Sequence, residues 1–131
     1  MNPKFDVDLK FGQEGEEWLK LLLVDNARVE VKRERDQWAS TGNIVFEVEC
    51  RGKPSGLEAT DAEYWVHVLD LGGVPQSMFL WRTDVLRERL YALWSLGSDG
   101  PVKEQFGGDD NASRLLVVPL ASTHLLLPNA L

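Results

Sequence analysis

The sequence has few of the side chains that build disulfides or zinc sites. It contains one cysteine, Cys50, and two histidines, His67 and His124, that lie far apart in the chain. A single cysteine cannot close an internal disulfide, and these three residues are too few and too scattered for a zinc site of the usual nitrogen and sulfur type. Oxygen ligands are abundant instead, because the 131 residues include 21 Asp and Glu. The composition therefore favours a hard metal ion over zinc.

Long apolar runs are also missing. No segment approaches the roughly 18 uninterrupted apolar residues that span a membrane. The first ten residues, MNPKFDVDLK, mix charges with isolated apolar side chains and hold no run of signal-peptide length. Hydrophobic residues make up 44% of the chain and charged residues 27%, which is ordinary for a globular protein. We therefore expect a soluble, cytoplasmic protein with a single domain over residues 1–131.

The balance of charge is acidic, with a formal net charge of −7. This charge argues against a general nucleic-acid coat, because Lys and Arg neutralise the phosphates and the net charge sets the long-range field. A bound divalent cation partly neutralises the carboxylates that hold it. Basic residues also cluster in one segment of the chain, at Lys32, Arg33, Arg35, Arg51 and Lys53. Local binding of an anion therefore remains compatible with the composition.

Hydrophobic periodicity predicts a succession of helices and strands. The predicted elements are a helix over residues 12–23, strands over 29–35, 43–51, 64–71 and 77–81, a helix over 83–94 and a strand over 114–120. Residues 97–111 are rich in glycine and are predicted to form a loop. Short connections suit antiparallel strands, and the later helix permits a parallel crossover. The predicted fold class is α/β, with a mixed central sheet of four to five strands between helices, in the order αβββαβ.

The segment Val29-Glu30-Val31-Lys32 carries the chemistry that the pattern suggests. Strand side chains alternate between faces, so Glu30 and Lys32 share one face and the valines share the other. If residues 43–51 return antiparallel, Glu47 or Glu49 lies across from them. Converging carboxylates repel each other unless a cation lies between them, and magnesium prefers such oxygen ligands. The alternative is a set of cross-strand ion pairs on a solvated face.

The wider run VEVKRERDQWASTGNIVFEVECRGKPSGLEATDAEYWV, followed later by GGDDNASR, extends the motif. It resembles the PD-(D/E)XK nuclease superfamily, particularly small phage-type and Holliday-junction-resolvase-like members, over about residues 11–120. The resemblance implies a restriction-endonuclease-like three-layer fold and a divalent-metal-dependent endonuclease that hydrolyses DNA, with Mg²⁺ or Mn²⁺ as cofactor. Such nucleases often form homodimers. The alternative is a catalytically inactive nuclease-like domain that binds protein or nucleic acid.

The same resemblance assigns roles to individual residues. Glu30 becomes a metal ligand and Lys32 the activating cation of the Glu-x-Lys motif. Asp25 is the candidate for the preceding acid, although no proline precedes it and only four residues separate it from Glu30. A turn position is the alternative for Asp25, in which case Glu47 becomes the further metal ligand. Glu16, beside the apolar stripe of the first helix, is the candidate accessory acid.

Contacts to DNA are expected from the basic segment and the turn that follows it. Arg33, Arg35 and Lys53 are candidates to hold the DNA backbone, and a solvated basic face is the alternative. Ser55 lies in the turn Gly-Lys-Pro-Ser-Gly, whose backbone amides are suited to contact a phosphate. An ordinary hairpin connection is the alternative for that turn. Trp38, in a predicted turn, is a candidate to stack on a base or a partner.

Overall fold

The computed structural model describes residues 3–24 and 28–128. Its helices are α1 (Pro3–Leu22), α2 (Gln37–Thr41) and α3 (Thr83–Trp94). Its strands are β1 (Val29–Glu34), β2 (Asn43–Cys50), β3 (Lys53–Pro54), β4 (Tyr64–Leu71), β5 (Val74–Arg82), β6 (Lys103–Gly107) and β7 (Ser113–Pro119). Short 3₁₀ segments cover Gly97–Asp99, Asp109–Asn111 and Leu120–Leu126. The α/β class is confirmed, because helices flank a mixed and an antiparallel sheet.

The strands form two sheets, and the expectation of a single central sheet is wrong. In the first sheet β4 lies between β1, which is parallel to it, and β5, which is antiparallel. The second sheet is antiparallel in the order β3-β2-β7-β6. Burial explains the arrangement: β4 is buried along most of its length, whereas β2 alternates between buried and partly exposed residues. A strand of the first kind suits a sheet centre covered on both faces, and one of the second kind suits a sheet covered on one face.

The core fills the space between the two sheets and α3. Phe46 of β2 is fully buried and contacts the rings of Trp65 and Trp81, with centroids 6.3 and 6.0 Å away. Leu86 and Leu90 of α3 are four residues apart, so they share a helix face, and both are fully buried in the same cluster. The aromatic contacts therefore join the first sheet to the second, and α3 closes the core beside them.

Several elements differ from the pattern-based prediction. Helix α1 begins at Pro3 instead of residue 12, and most of its apolar stripe remains exposed, with Trp18 at 46% and Leu19 at 48% of full exposure. Residues 97–111, expected to be a loop, contain β6, which pairs with β7. Its first four residues are exposed, so no apolar alternation marks β6 in the sequence. Within the described residues, no helix is long and apolar enough to cross a membrane.

Candidate functional site

A groove of about 760 Å³ lies beside the end of β1 and α2, and we call it the β1–β2 groove. One wall is formed by the residues from Lys32 to Trp38. The floor is the face of the second sheet that points away from the core. Its apolar part consists of Val45 of β2 with Leu115 and Val117 of β7, which lie side by side because residues two apart on a strand share a face. The groove therefore joins a polar wall to an apolar floor.

Glu34, at the end of β1, holds the wall against the floor. Its Oε1 atom accepts a hydrogen bond from the backbone N–H of Val45 at 2.5 Å. Nδ1 of His67 accepts a hydrogen bond from the indole N–H of Trp65 at 3.1 Å, so the ring proton lies on Nε2. Nε2 donates this proton to the same Glu34 oxygen at 2.8 Å. His67 is fully buried. This Trp65–His67–Glu34 chain links the first sheet to the open edge of β2, and the sequence analysis missed it.

The residues next to Glu34 and Val45 on the same faces of their strands also line the groove. Lys32 lies two residues before Glu34, and Glu47 lies two residues after Val45, so both occupy the next pleat of their strands. Both line the β1–β2 groove, and the charge of Lys32 acts on the carboxylate of Glu47. No backbone pairing between β1 and β2 occurs within the described strands. The expected antiparallel return of residues 43–51 onto β1 is wrong, because β1 pairs with β4 whereas β2 pairs with β3 and β7. Lys32 and Glu47 line the groove from different sheets.

Glu47 is held as a carboxylate. Hydrogen bonds from the hydroxyls of Ser113 and Ser55 lower the pKa of Glu47, and the charge of Lys32 lowers it further. Partial burial acts in the opposite direction and raises the pKa, but its effect is smaller than the sum of the others. The Ser55 hydroxyl donates to Oε2 of Glu47 at 2.5 Å. The groove therefore contains a charged carboxylate at neutral pH, and the ammonium of Lys32 lines the same groove.

Replacing Ser113 with alanine is expected to raise the pKa of Glu47 towards its ordinary value, because its strongest hydrogen-bond donor is removed. A pKa that is lowered in the folded state stabilises the protein above the unfolded pKa, and this stabilisation is lost as pH falls through the folded value. The variant should therefore be less stable than the wild type at neutral pH, with the difference shrinking in acid. Carboxyl NMR titration and urea unfolding across pH measure both effects. An unchanged Glu47 pKa, with the exposed Ser98→Ala as control, contradicts this assignment.

Two cations of the groove wall have charge available for an anion. Most basic side chains of the protein are engaged, as Arg33 is by an ion pair with Asp70 and Arg82 by one with Glu63. Lys32 and Arg35 are exposed, and across residues 3–24 and 28–128 neither forms a hydrogen bond or a close ion pair. Both line the β1–β2 groove. An anionic ligand in the groove would therefore meet Lys32 and Arg35, on a wall that also carries Glu34 and Asp36.

The remaining candidates from the sequence lie elsewhere. Glu30 shares the strand face of Lys32 but lies about 7 Å farther along β1 and outside the groove lining. Glu16 belongs to the exposed part of α1, and Lys53 lies on β3, so the structure brings neither to the groove. Asp25 lies outside the described residues. Trp38 lines the groove, and its indole N–H donates to the backbone oxygen of Asp70 at 2.6 Å, which fixes the ring.

The groove offers a sparse set of metal ligands. Within the part of the chain that the structure describes, no three Asp, Glu, His or Cys residues are grouped closely enough to hold a metal ion. Three carboxylates line the groove, of which Glu34 accepts hydrogen bonds from His67 and Val45, Asp36 accepts one from Gly72, and Glu47 has its pKa lowered. Mg²⁺ commonly binds through one or two carboxylates, several waters and the phosphates of a substrate. Glu47 fits an ion held in this way, whereas an ion enclosed by protein ligands alone does not fit the described residues.

Comparisons with protein-family models, curated proteins and solved structures found no match to the chain. The functional assignment therefore depends on the residues of the groove themselves.

Proposed function

We propose that the β1–β2 groove is the active site of a divalent-metal-dependent endonuclease that hydrolyses phosphodiester bonds in DNA. The observation that carries the proposal is that Lys32 and Glu47 line one groove: Lys32 has no close ion-pair partner among the described residues, and the pKa of the Glu47 carboxylate is lowered. A carboxylate of this kind suits Mg²⁺ or Mn²⁺, and the ammonium suits the phosphate. Arg35, on the same wall, adds a second positive charge for the DNA backbone.

The residues of the groove would divide the reaction between them. Glu47 anchors the cation, with Glu30 and Asp25 as the further candidate ligands. When bound, the cation activates water and neutralises phosphate charge. Lys32 and Arg35 orient the phosphate, and Lys32 stabilises the negative charge that develops on it. A water oxygen forms a bond to phosphorus as the ester P–O bond breaks; the water gives a proton to solvent, and the leaving oxygen takes one up.

The restriction-endonuclease-like fold is part of this proposal. The helices and strands follow the order α1, β1, α2, β2, β3, β4, β5, α3, β6, β7, which contains the proposed αβββαβ order only when α2, β3, β5 and β6 are set aside. The distribution of these strands over two sheets is the departure from that fold. Assignment to this fold class therefore belongs to the proposal.

A catalytically inactive nuclease-like domain is the second candidate. The spacing of the groove's carboxylates favours it, because Glu34, Asp36 and Glu47 line the groove but no three acidic, His or Cys residues among those described are grouped closely enough to hold a metal ion. Such a domain would bind nucleic acid or protein through Lys32 and Arg35 and would change no bond. Replacing Lys32 with alanine would then weaken binding, and neither the wild type nor the variant would cleave DNA.

Cleavage assays separate the two candidates. Purified protein is incubated with supercoiled, linear, single-stranded and four-way-junction DNA in the presence of Mg²⁺, Mn²⁺ or EDTA. We expect cleavage that requires the metal and is lost in Glu47→Gln, which keeps the size of the side chain but removes its charge. The matched control is Glu49→Gln on the same strand, where the carboxylate pairs with Arg114 at 3.9 Å outside the groove. No cleavage of any substrate by folded protein contradicts the endonuclease.

Metal binding is expected to stabilise the protein through Glu47. A ligand that binds only the folded state at a hundred times its Kd adds about 2.7 kcal/mol to the free energy of unfolding. Thermal melts in increasing Mn²⁺ should therefore show a saturable rise of Tm in the wild type and in Glu49→Gln, and a much smaller rise in Glu47→Gln. An equal rise in all three proteins places the metal elsewhere.

A further inference from the structure

The floor of the β1–β2 groove is more apolar than phosphate binding requires. Val45, Leu115 and Val117 are each partly exposed there, next to the charged carboxylate of Glu47. A duplex presents its charged backbone to a protein and keeps its bases stacked inside. A bound duplex would leave Val45, Leu115 and Val117 in contact with charged phosphates or with water. An unstacked base has an apolar face, and covering the floor with it removes apolar surface from water.

Two side-chain amides border this floor. Asn43 lies at the start of β2 and Gln105 in the middle of β6, and both line the groove. Neither amide has a hydrogen-bond partner among the residues that the structure describes. An amide donates and accepts side by side, which matches the donors and acceptors along the edge of a base. Two unengaged amides beside an apolar surface therefore suit a base better than they suit a phosphate.

The charges and the size of the groove complete the match. Lys32 and Arg35 lie on the wall, so a phosphate bound to them lies to one side of the apolar floor. The volume of about 760 Å³ falls within the range of about 300 to 1,000 Å³ that is typical of small-ligand sites. A nucleotide has the same two parts, an anionic group joined to a flat and partly apolar ring with polar edges.

We infer that the β1–β2 groove binds an unstacked nucleotide, so that the preferred ligand is single-stranded or locally unpaired nucleic acid. The base covers Val45, Leu115 and Val117, Asn43 and Gln105 contact its edge, and the adjoining phosphate meets Lys32 and Arg35. As a statement about substrate, this inference rests on the proposed function. As a statement about binding, it is tested without any cleavage.

Fluorescence anisotropy in EDTA provides the test. The probes are a labelled 12-nucleotide single strand of mixed sequence and the blunt duplex that this strand forms with its complement, which has no unpaired loop. We expect the single strand to bind about tenfold more tightly than the duplex, because the apolar contact is available only to an unstacked base. Gln105→Ala and Val117→Thr should each weaken single-strand binding several-fold and leave duplex binding unchanged. Gln76→Ala, at an exposed position of the first sheet, is the control and should change neither.

The outcomes separate this inference from the endonuclease. Duplex binding as tight as single-strand binding, absence of binding, or unchanged affinity in both groove variants overturns the inference. Selective single-strand binding without cleavage in any metal supports the inference and rejects the endonuclease. Cleavage of duplex DNA by a protein that does not bind the single strand supports the endonuclease and rejects the inference.

Discussion

Replacing Lys32 with methionine is expected to slow metal-dependent DNA cleavage by about 100-fold or more. Methionine keeps the unbranched apolar stem but removes the charge that faces Glu47 and the phosphate. Loss of one group that stabilises charge in the transition state typically lowers kcat by about 10² to 10³. The measurement is the single-turnover cleavage rate at saturating Mn²⁺. Because Lys32 is exposed and forms no close ion pair, the melting temperature should change little.

Lys53→Met is the matched control for this prediction. Lys53 is also exposed and lacks a close partner among the described residues, but it lies on β3 outside the groove. Its replacement should reduce DNA affinity slightly, if at all, and leave the cleavage rate intact. Equal losses in both variants would show that Lys32 contributes only to the general attraction of DNA. An unchanged rate in Lys32→Met would remove Lys32 from the reaction.

Glu34→Ala is expected to lower the free energy of unfolding by about 2 to 5 kcal/mol. The substitution leaves the Nε2–H of His67 and the backbone N–H of Val45 without their acceptor. Each buried donor that loses its partner costs about 1 to 3 kcal/mol. Urea unfolding at neutral pH measures the loss. Glu88→Ala, an exposed position of α3, is the control and should change stability little.

The same variant tests whether Glu34 positions the groove as well as stabilising the fold. If Glu34 holds β1 against β2, its removal should let Lys32 move away from Glu47, and the pKa of Glu47 should rise. Glu34→Gln keeps one acceptor oxygen and should preserve more of both properties. A large loss of stability with an unchanged Glu47 pKa would limit Glu34 to a structural role.

Local patterns predicted most elements of the fold but not their partners. The strand at Tyr64–Leu71 and the helix at Thr83–Trp94 match the predicted bounds, because apolar spacing and turn residues mark them. Strand β6 was missed, because an exposed edge strand has no apolar face to reveal it. Pairing of β2 with β7 depends on contacts between residues about 70 positions apart in sequence, which no local pattern encodes.

Local patterns also predicted some residues of the candidate site and missed others. Two-residue alternation predicted Lys32 and Glu47 on facing positions of paired strands; that pairing is absent from the described strands, and both residues line the groove from different sheets instead. Alternation also placed Glu30 on that face, but it cannot tell how far along the strand the groove extends. Glu34 escaped notice because its partner His67 lies 33 residues away and is buried by packing between sheets. The available signal in the sequence was a Glu that lies on the same strand face as Glu30 and Lys32, two residues after Lys32.

The most direct test of the Lys32–Glu47 site is a crystal of the protein soaked in Mn²⁺ with a short phosphorothioate single strand. Anomalous scattering then locates the ion. We predict a peak at about 2.2 Å from the Glu47 carboxylate, with a phosphate of the strand between the ion and Lys32. The position of the peak also decides whether Glu30 or Asp25 completes the coordination. An ion bound away from Glu47, or a strand bound outside the β1–β2 groove, would contradict the site.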